Sequence, residues 1–458
     1  MVRPLHDPQQ RFWEQVDGIR EHFTVAVGPP GTGTDPSLTP RYLAEDRYVL
    51  VREDDEEAVR QQIAVRSDEA PQRAHGLVRL PVAEDVPSAV RRLAAAHPNY
   101  MVTITPVNSC PADEPTLPPR PPRRSAYPPD PPPPPLLTPP RHPDEHAGRG
   151  VDVLVVDTGL VPDYQKHPTI SDVKGGLRSP VPEGVVTQYY GHGTFIAGVL
   201  KNIAPGVRLT VSEELQHAGS ISEFHLGERL LEALAVWQSS DGETGRWPDI
   251  ISLSAGAPTE DDQPLRGLEE FIRQLEKHTE TVLVAAAGND GEPRQPFWPA
   301  ALAPRYAESR AIVAVGALRE DGVGRACFSN CGDWVSVYAE GERLVNTFTW
   351  GTYTNAHNNT RDCRYHVGYH PLYRDCTCVT AGAQGDRVEF DGFARWSGTS
   401  FATPIVAGRI ARCMNLDGRP RTSRQAAQYL LSSRVHTIRD DADGLPLPVL
   451  CEEDRPPA

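Results

Sequence analysis

Short, nearly unbroken apolar runs alternate with amphipathic stretches through the later two thirds of the chain. The runs DVLVVD (152–157), RLTVS (208–212), DIISLS (249–254), TVLVAAA (281–287) and AIVAVGA (311–317) have the length of core strands. Helical spacing of apolar residues marks the segments near 192–202, 222–239, 264–278, 400–414 and 423–433. Strands that are apolar on both faces and alternate with helices predict an α/β domain with a parallel sheet covered on each side. The first hundred residues carry a different rhythm. Residues 8–23 predict a short amphipathic helix and 28–40 a Gly/Pro loop. A strand (RYVLVRE, 47–53), a helix (EEAVRQQIA), a strand (GLVRLPV, 76–82), a helix from Val86 and a strand (YMVTITPV, 100–107) follow. That β-α-β-α-β order predicts a small N-terminal α/β (ferredoxin-like) domain over 1–108.

Composition explains what lies between the two. The chain has 458 residues and 46 prolines, about twice the usual share of roughly 5%. About a third of those prolines fall between Pro111 and Pro143, so 109–148 predicts a linker of semi-rigid polyproline II, with docking to an SH3-type partner as the alternative use. The acidic, Pro-containing stretch 437–458 predicts a surface tail. A net charge of −15 repels nucleic acid and anionic membrane surfaces, and neither is an expected partner. No apolar run approaches the length of a membrane span, and MVRPLHDPQQRFWEQVDGIREHF lacks the apolar segment of a signal peptide. The expected compartment is the cytoplasm, with secretion left open. The eight cysteines are accordingly expected to be mostly reduced thiols.

Reactive groups in open parallel sheets collect at the carboxyl ends of strands and at the helix N-termini that follow. Four segments obey that rule: VVDTG after the first strand, GHGT opening a helix, AAAGN after the fourth strand and GTSFATP opening a late helix. They supply Asp157, His192, Asn289 and Ser400. A hydroxyl nucleophile, an imidazole base, a carboxylate that fixes its tautomer and an amide donor for an oxyanion are the parts needed for acyl transfer. DTG alone also marks aspartic peptidases, but those need a second such carboxylate and the sequence has no further DTG or DSG. GHG alone more often holds a structural histidine.

The four motifs in this order, with GHGTFIAGVLKNIAPGVRL, ISLSAG, WPAAL before AIVAVGAL, and CFSNCGDWVSVYAEG, resemble the subtilisin-like serine peptidases, the subtilases, over roughly 150–435. The resemblance implies a three-layer αβα subtilisin-like domain over 149–436 that hydrolyses peptide bonds of a polypeptide substrate as a serine endopeptidase. It implies that Asp157 orients His192, that His192 deprotonates Ser400, and that Asn289 and the Ser400 backbone N–H hold the oxyanion. Ser254, Ala255 and Gly256 would bind the substrate backbone and wall the main specificity pocket, opposite Ala286 to Gly288. The small residues Ala255 and Gly256 predict a roomy pocket for a medium or large apolar side chain. The related sedolisins use a Glu base and an oxyanion Asp, which His192 and Asn289 argue against. The competing class is a non-catalytic subtilase-fold scaffold acting through its Pro-rich segment.

Two departures from the family pattern stand out. Phe195 replaces the His of GHGTHVAG, a packing position. A Cys/His-bearing insert near 346–391 lengthens the chain before Ser400 and is expected beside the active-site rim. It carries His357, Cys363, His366, His370, Cys376 and Cys378. Cys363, His366, Cys376 and Cys378 offer a zinc ligand set, but a disulfide and unlinked thiols remain alternatives. Cys327 and Cys331 flank a turn and are a second candidate pair, whereas Cys110, Cys413 and Cys451 carry no motif. No cofactor is required by this chemistry; structural calcium is common in the family, yet no acidic cluster matches a site by spacing. The N-terminal domain resembles subtilase prodomains, implying intramolecular inhibition or chaperoning, with independent sensing or docking as the other reading.

Overall fold

The computed structural model describes residues 16–27 (17 apart), 43–103 and 141–451, except 179–183, 188, 216–218, 238–245, 260–261, 292–294, 355–365, 368–369, 372–386 and 442. The N-terminal unit contains strands β1 (Val25–Val27), β2 (Leu43–Arg52), β3 (Gln72–Ala74), β4 (Leu77–Pro81) and β5 (Ala96–Thr103), and helices α1 (Glu56–Arg60) and α2 (Val86–Arg92). All its pairings are antiparallel, and alternate residues of β2 and β4, Val49, Val51, Val78 and Leu80, face Val59 of α1 and Val86 and Ala89 of α2. Asp85 caps α2 by accepting from Ser88 N at 2.9 Å, with Pro87 in the first turn, where its missing N–H costs nothing.

The larger domain continues with β6 (Asp152–Val156), β7 (Lys174–Gly175), α3 (His192–Ile203), β8 (Arg208–Ser212), β9 (Ser220–Ser222), α4 (Glu223–Ala235), β10 (Ile250–Leu253), α5 (Glu269–Lys277), β11 (Val282–Ala286), β12 (Ile312–Leu318) and β13 (Val337–Glu340). After these come β14 (Leu344–Thr354), β15 (His366–Val367), β16 (His370–Pro371), β17 (Arg387–Trp396), α6 (Thr399–Met414), α7 (Ser423–Ser433), β18 (Val435–Arg439) and β19 (Pro446–Leu450). The main sheet runs β18-β19-β13-β12-β11-β10-β6-β8-β7, parallel throughout except for the edge strand β18. Side chains alternate across it: Val153 and Val155 of β6 pack with α3 and α6, and Leu154 and Val156 with α4 and α5. Strand order reverses around β6, with β8 on one side and β10 on the other, which opens a crevice at its carboxyl end.

One feature differs from expectation, and two others fill in what the sequence left open. The described part of the segment read as a surface tail is folded: β18 and β19 extend the main sheet, with Leu447 and Val449 buried against Tyr338 and Val335. The insert is carried by a long antiparallel hairpin, β14 with β17, which crosses α3 from Asn346 beside Gly198 to Phe348 beside Gly191. Cys331, Cys413 and Cys451 are buried free thiols, so Cys331 does not pair with Cys327, which is buried as well. Cys363, Cys376, Cys378, His357 and Cys110 lie outside the described residues, and His366 and His370 are described only as backbone of β15 and β16. Among the described residues no three His, Cys, Asp or Glu side chains converge as a metal site, and no helix is long and apolar enough to cross a membrane.

The N-terminal unit does not stand apart. Its β5 pairs antiparallel with β9, Met101 opposite Ser222 and Thr103 opposite Ser220. Tyr100 and Ala44 join the apolar cluster of α4 and α5, and Leu50 and Leu77 pack on Phe224. Glu223, fully buried at the start of α4, binds both sides of this junction. Its carboxylate accepts from Tyr100 N (3.3 Å) and Gly267 N (3.0 Å) and lies 3.4 Å from His97 Nδ1.

Candidate active site

Asp157 follows the last residue of β6 and is fully buried. One of its oxygens accepts from Thr158 N at 2.7 Å, which sets the carboxylate plane. His192 is the first residue of α3, and its Nδ1 lies 2.8 and 3.0 Å from the two Asp157 oxygens. This geometry places the proton on Nδ1 and leaves Nε2 as the basic lone pair. Close approach of β6 and α3 requires Gly193: a Cβ there would meet Gly159 O at 2.5 Å and Asp157 Oδ1 at 3.2 Å. Three aromatic rings surround the imidazole, Trp396 at 5.3 Å, Phe401 at 5.2 Å and Tyr189 at 6.5 Å. Phe195, buried behind them, packs on Trp396 and Phe401, so it serves as apolar filling.

Ser400 stands in the first turn of α6. Its Oγ donates to Ser254 O at 3.4 Å, and Ser254 Oγ donates back to Ser400 O at 3.0 Å, tying the end of β10 to α6. Asn289 follows β11. Its Oδ1 accepts from both the N–H and the hydroxyl of Thr399, at 2.8 Å each, which fixes the amide so that its NH₂ faces away from Thr399. Among the described residues no hydrogen bond reaches His192 Nε2 or Asn289 Nδ2. An imidazole, a hydroxyl at a helix N-terminus and a fixed amide donor thus share the crevice, each with one valence unspent.

Ser254, Ala255 and Gly256 continue β10, and Ala286 to Gly288 end β11; the strands are in register, Leu253 beside Ala285. The two segments therefore leave the sheet side by side. The space between them is not the roomy slot expected from Ala255 and Gly256, because the buried ring of Phe297 lies against Gly256 and Gly288 alike. Phe297 was not legible as a site residue, having no motif of its own. Arg178 is another: it donates to Tyr189 O at 3.3 Å and lies over the Tyr190 ring at 5.5 Å. Burial pulls its guanidinium below the ordinary range, against the pull of Tyr190, Asp157 and Glu213.

Comparison with known proteins gives a consistent placement. Subtilisin-like protease 2 of Arthroderma otae is 27% identical over 305 residues, 66% of this chain and 58% of that protein. Subtilisin Savinase of Lederbergia lenta is 28% identical over 238 residues, 50% of this chain and 77% of that one. The chain thus spans little more than half the length of the fungal relative. Solved structures that resemble it include the prenylagaramide maturation protease PagA (24% identity, 66% of this chain and 90% of that one, TM-score 0.43) and a cold-adapted subtilisin-like serine proteinase (19%, 68% and 91%, TM-score 0.45). The sequence profile of the subtilase family matches residues 148–445, more than half of the chain, and with it the chain belongs to the subtilase family.

Proposed function

We propose that this protein is a serine endopeptidase that cleaves polypeptides through an acyl-enzyme, with Ser400 as nucleophile, His192 as base, Asp157 as the group orienting it and Asn289 as oxyanion donor. The observation that carries the reading is the double contact of His192 Nδ1 with Asp157, which leaves Nε2 basic on the side of the open crevice. Rotation of the Ser400 hydroxyl away from Ser254 O brings its proton to Nε2. Oγ then attacks the scissile carbonyl, and charge develops on the carbonyl oxygen toward Asn289 Nδ2 and the Ser400 N–H. Collapse breaks the C–N bond as the Nε2 proton passes to the leaving amine; a water deprotonated by the same nitrogen then attacks the acyl carbon, the C–Oγ bond breaks, and the Nε2 proton returns to Ser400 Oγ. The released Ser254 carbonyl is free to accept from the substrate backbone.

The N-terminal ferredoxin-like domain acts in this reading as an intramolecular inhibitor. Its support is the strand pairing of β5 with β9, a strand that starts five residues after Leu215, whose N–H binds Asp157 O at 3.0 Å. Thr103, the last residue of β5, lies opposite Ser220, the end of β9 nearer Leu215. Hydrolysis of a denatured protein substrate by wild type but not by Ser400→Ala tests the peptidase reading. Absence of turnover from both the full chain and residues 145–458 favours the scaffold alternative, and turnover from the shorter chain alone supports inhibition.

A further inference from the structure

The slot between the two walls already holds a side chain. A methyl group built on Gly256 would lie 2.4 Å from Phe297 Cε1 and 2.9 Å from its Cδ1; one built on Gly288 would lie 2.9 Å from Phe297 Cδ2 and Cγ. Cδ1 and Cε1 form one edge of the ring, and Cδ2 lies across Cγ from them, so one ring touches both walls. Contacts this short leave no room for a Cβ at either position. Gly256 is therefore small to admit Phe297 and the backbone that carries it, and Gly288 is held small by the same ring, by Asn330 Nδ2 at 2.5 Å and by its own φ of +95°. The ring is 1% exposed.

Phe297 is also held in place. The next residue, Trp298, exchanges two hydrogen bonds with Ala257, N–H to carbonyl in each direction at 3.0 Å, and Phe297 O accepts from Ala301 N at 2.8 Å. Trp298 O lies 2.4 Å from the methyl position of Gly256, so the backbone carrying the ring is in contact with the wall itself. A ring anchored on both sides by its backbone cannot swing out without breaking this bridge.

We infer that Phe297 is the specificity-determining residue of this site: it floors the pocket between Ser254–Gly256 and Ala286–Gly288 and restricts the residue on the acyl side of the cleaved bond to Gly, Ala or Ser. The inference rests on the peptidase reading above. An apolar pocket discriminates by about 10- to 200-fold for each misfitting methylene, so a whole aromatic ring that meets another ring is excluded by at least that factor. Removing the ring opens a slot walled by two glycines and reverses the preference.

The test uses the full chain and irreversible peptidyl phosphonates that differ only in the residue preceding the reactive phosphorus, Ala against Phe, with a small fluorophosphonate as reference. Any hindrance by the N-terminal unit slows both peptidyl reagents and cancels in their ratio. Wild type is expected to react at least about tenfold faster with the Ala reagent. Phe297→Gly is expected to lose that ratio or invert it while the fluorophosphonate still labels it. Equal reactivity of wild type toward both reagents would overturn the inference without any variant, and so would an unchanged ratio in a fluorophosphonate-reactive Phe297→Gly. Failure of the fluorophosphonate to label either chain at Ser400 would instead count against the peptidase reading on which this rests.

Discussion

Two polar clusters are buried in this molecule, and they are built on opposite principles. At the carboxyl end of the sheet His192, Ser400 and Asn289 are each fixed on one side and left with a valence open on the other, with Asp157 fully engaged behind them and Trp396 and Phe401 around the imidazole. At the junction with the N-terminal unit each carboxylate oxygen has a donor, and the unmet group there among the described residues is His97 Nε2. Glu223 takes donors from Tyr100 and Gly267, and Glu45 takes two from Arg79 (2.9 and 2.6 Å) and another from Asn99. A reacting centre needs preorganised groups with capacity to spare, since that capacity is what the transition state uses. A buried joint needs the reverse, because every unmet donor or acceptor costs stability. The same residue types thus serve chemistry in one place and adhesion in the other.

The sharpest way to break the first cluster is His192→Ala, which removes the base while leaving the fold's apolar frame. Turnover of a peptide substrate should fall by about 10⁴-fold or more. Asn289→Ala comes next. Its loss should lower kcat about 10²- to 10³-fold, the size known for oxyanion donors, that of subtilisin among them, with little change in KM.

At the second cluster the effect should appear in stability and access. Glu223→Ala leaves Tyr100 N and Gly267 N without their acceptor, at a cost of about 1–3 kcal/mol for each. Thermal unfolding should shift down, and labelling of Ser400 by a small fluorophosphonate should speed up as the N-terminal unit loosens. A lower unfolding temperature with unchanged labelling would leave Glu223 as a structural residue only.

The smallest effect is a pH dependence of the same joint. Burial, with the positive charges of Arg79 and Arg229, pulls His225 down to about 4. Arg79 belongs to the N-terminal unit, so docking contributes to that shift. A histidine held neutral in the fold binds fewer protons than it does unfolded. Its contribution is therefore complete above about pH 6.5 and is lost as pH falls toward 4. Urea midpoints measured across that window should decline for wild type and decline less for His225→Gln.

Legibility in the sequence followed the same division. The reacting groups sit beside glycines at strand ends, because Gly193 and Gly288 are forced by close approach, and such constraints leave short recognisable motifs. The five long parallel strands and the helices between them were equally plain, being apolar on two faces. The joint left no motif: Glu223 and His97 are far apart in the chain, and burial of a carboxylate depends on donors that only the fold assembles. Strand β19 was missed because Pro446 and Pro448 read as loop, although Leu447 and Val449 alternate with them toward the core; proline is tolerated there next to the sheet edge. Phe297 was missed for a third reason. Gly256 and Ala255 report only that space is needed, and the sequence does not say whether substrate or protein fills it.

A working nucleophile in the crevice beside β6 is open to chemical labelling. Mass spectrometry of the full chain after exposure to a fluorophosphonate tests it most directly. One phosphonate adduct is expected, on the peptide containing Ser400, abolished in both Ser400→Ala and His192→Ala. A folded protein that remains unmodified at Ser400, with and without residues 1–144, would contradict it.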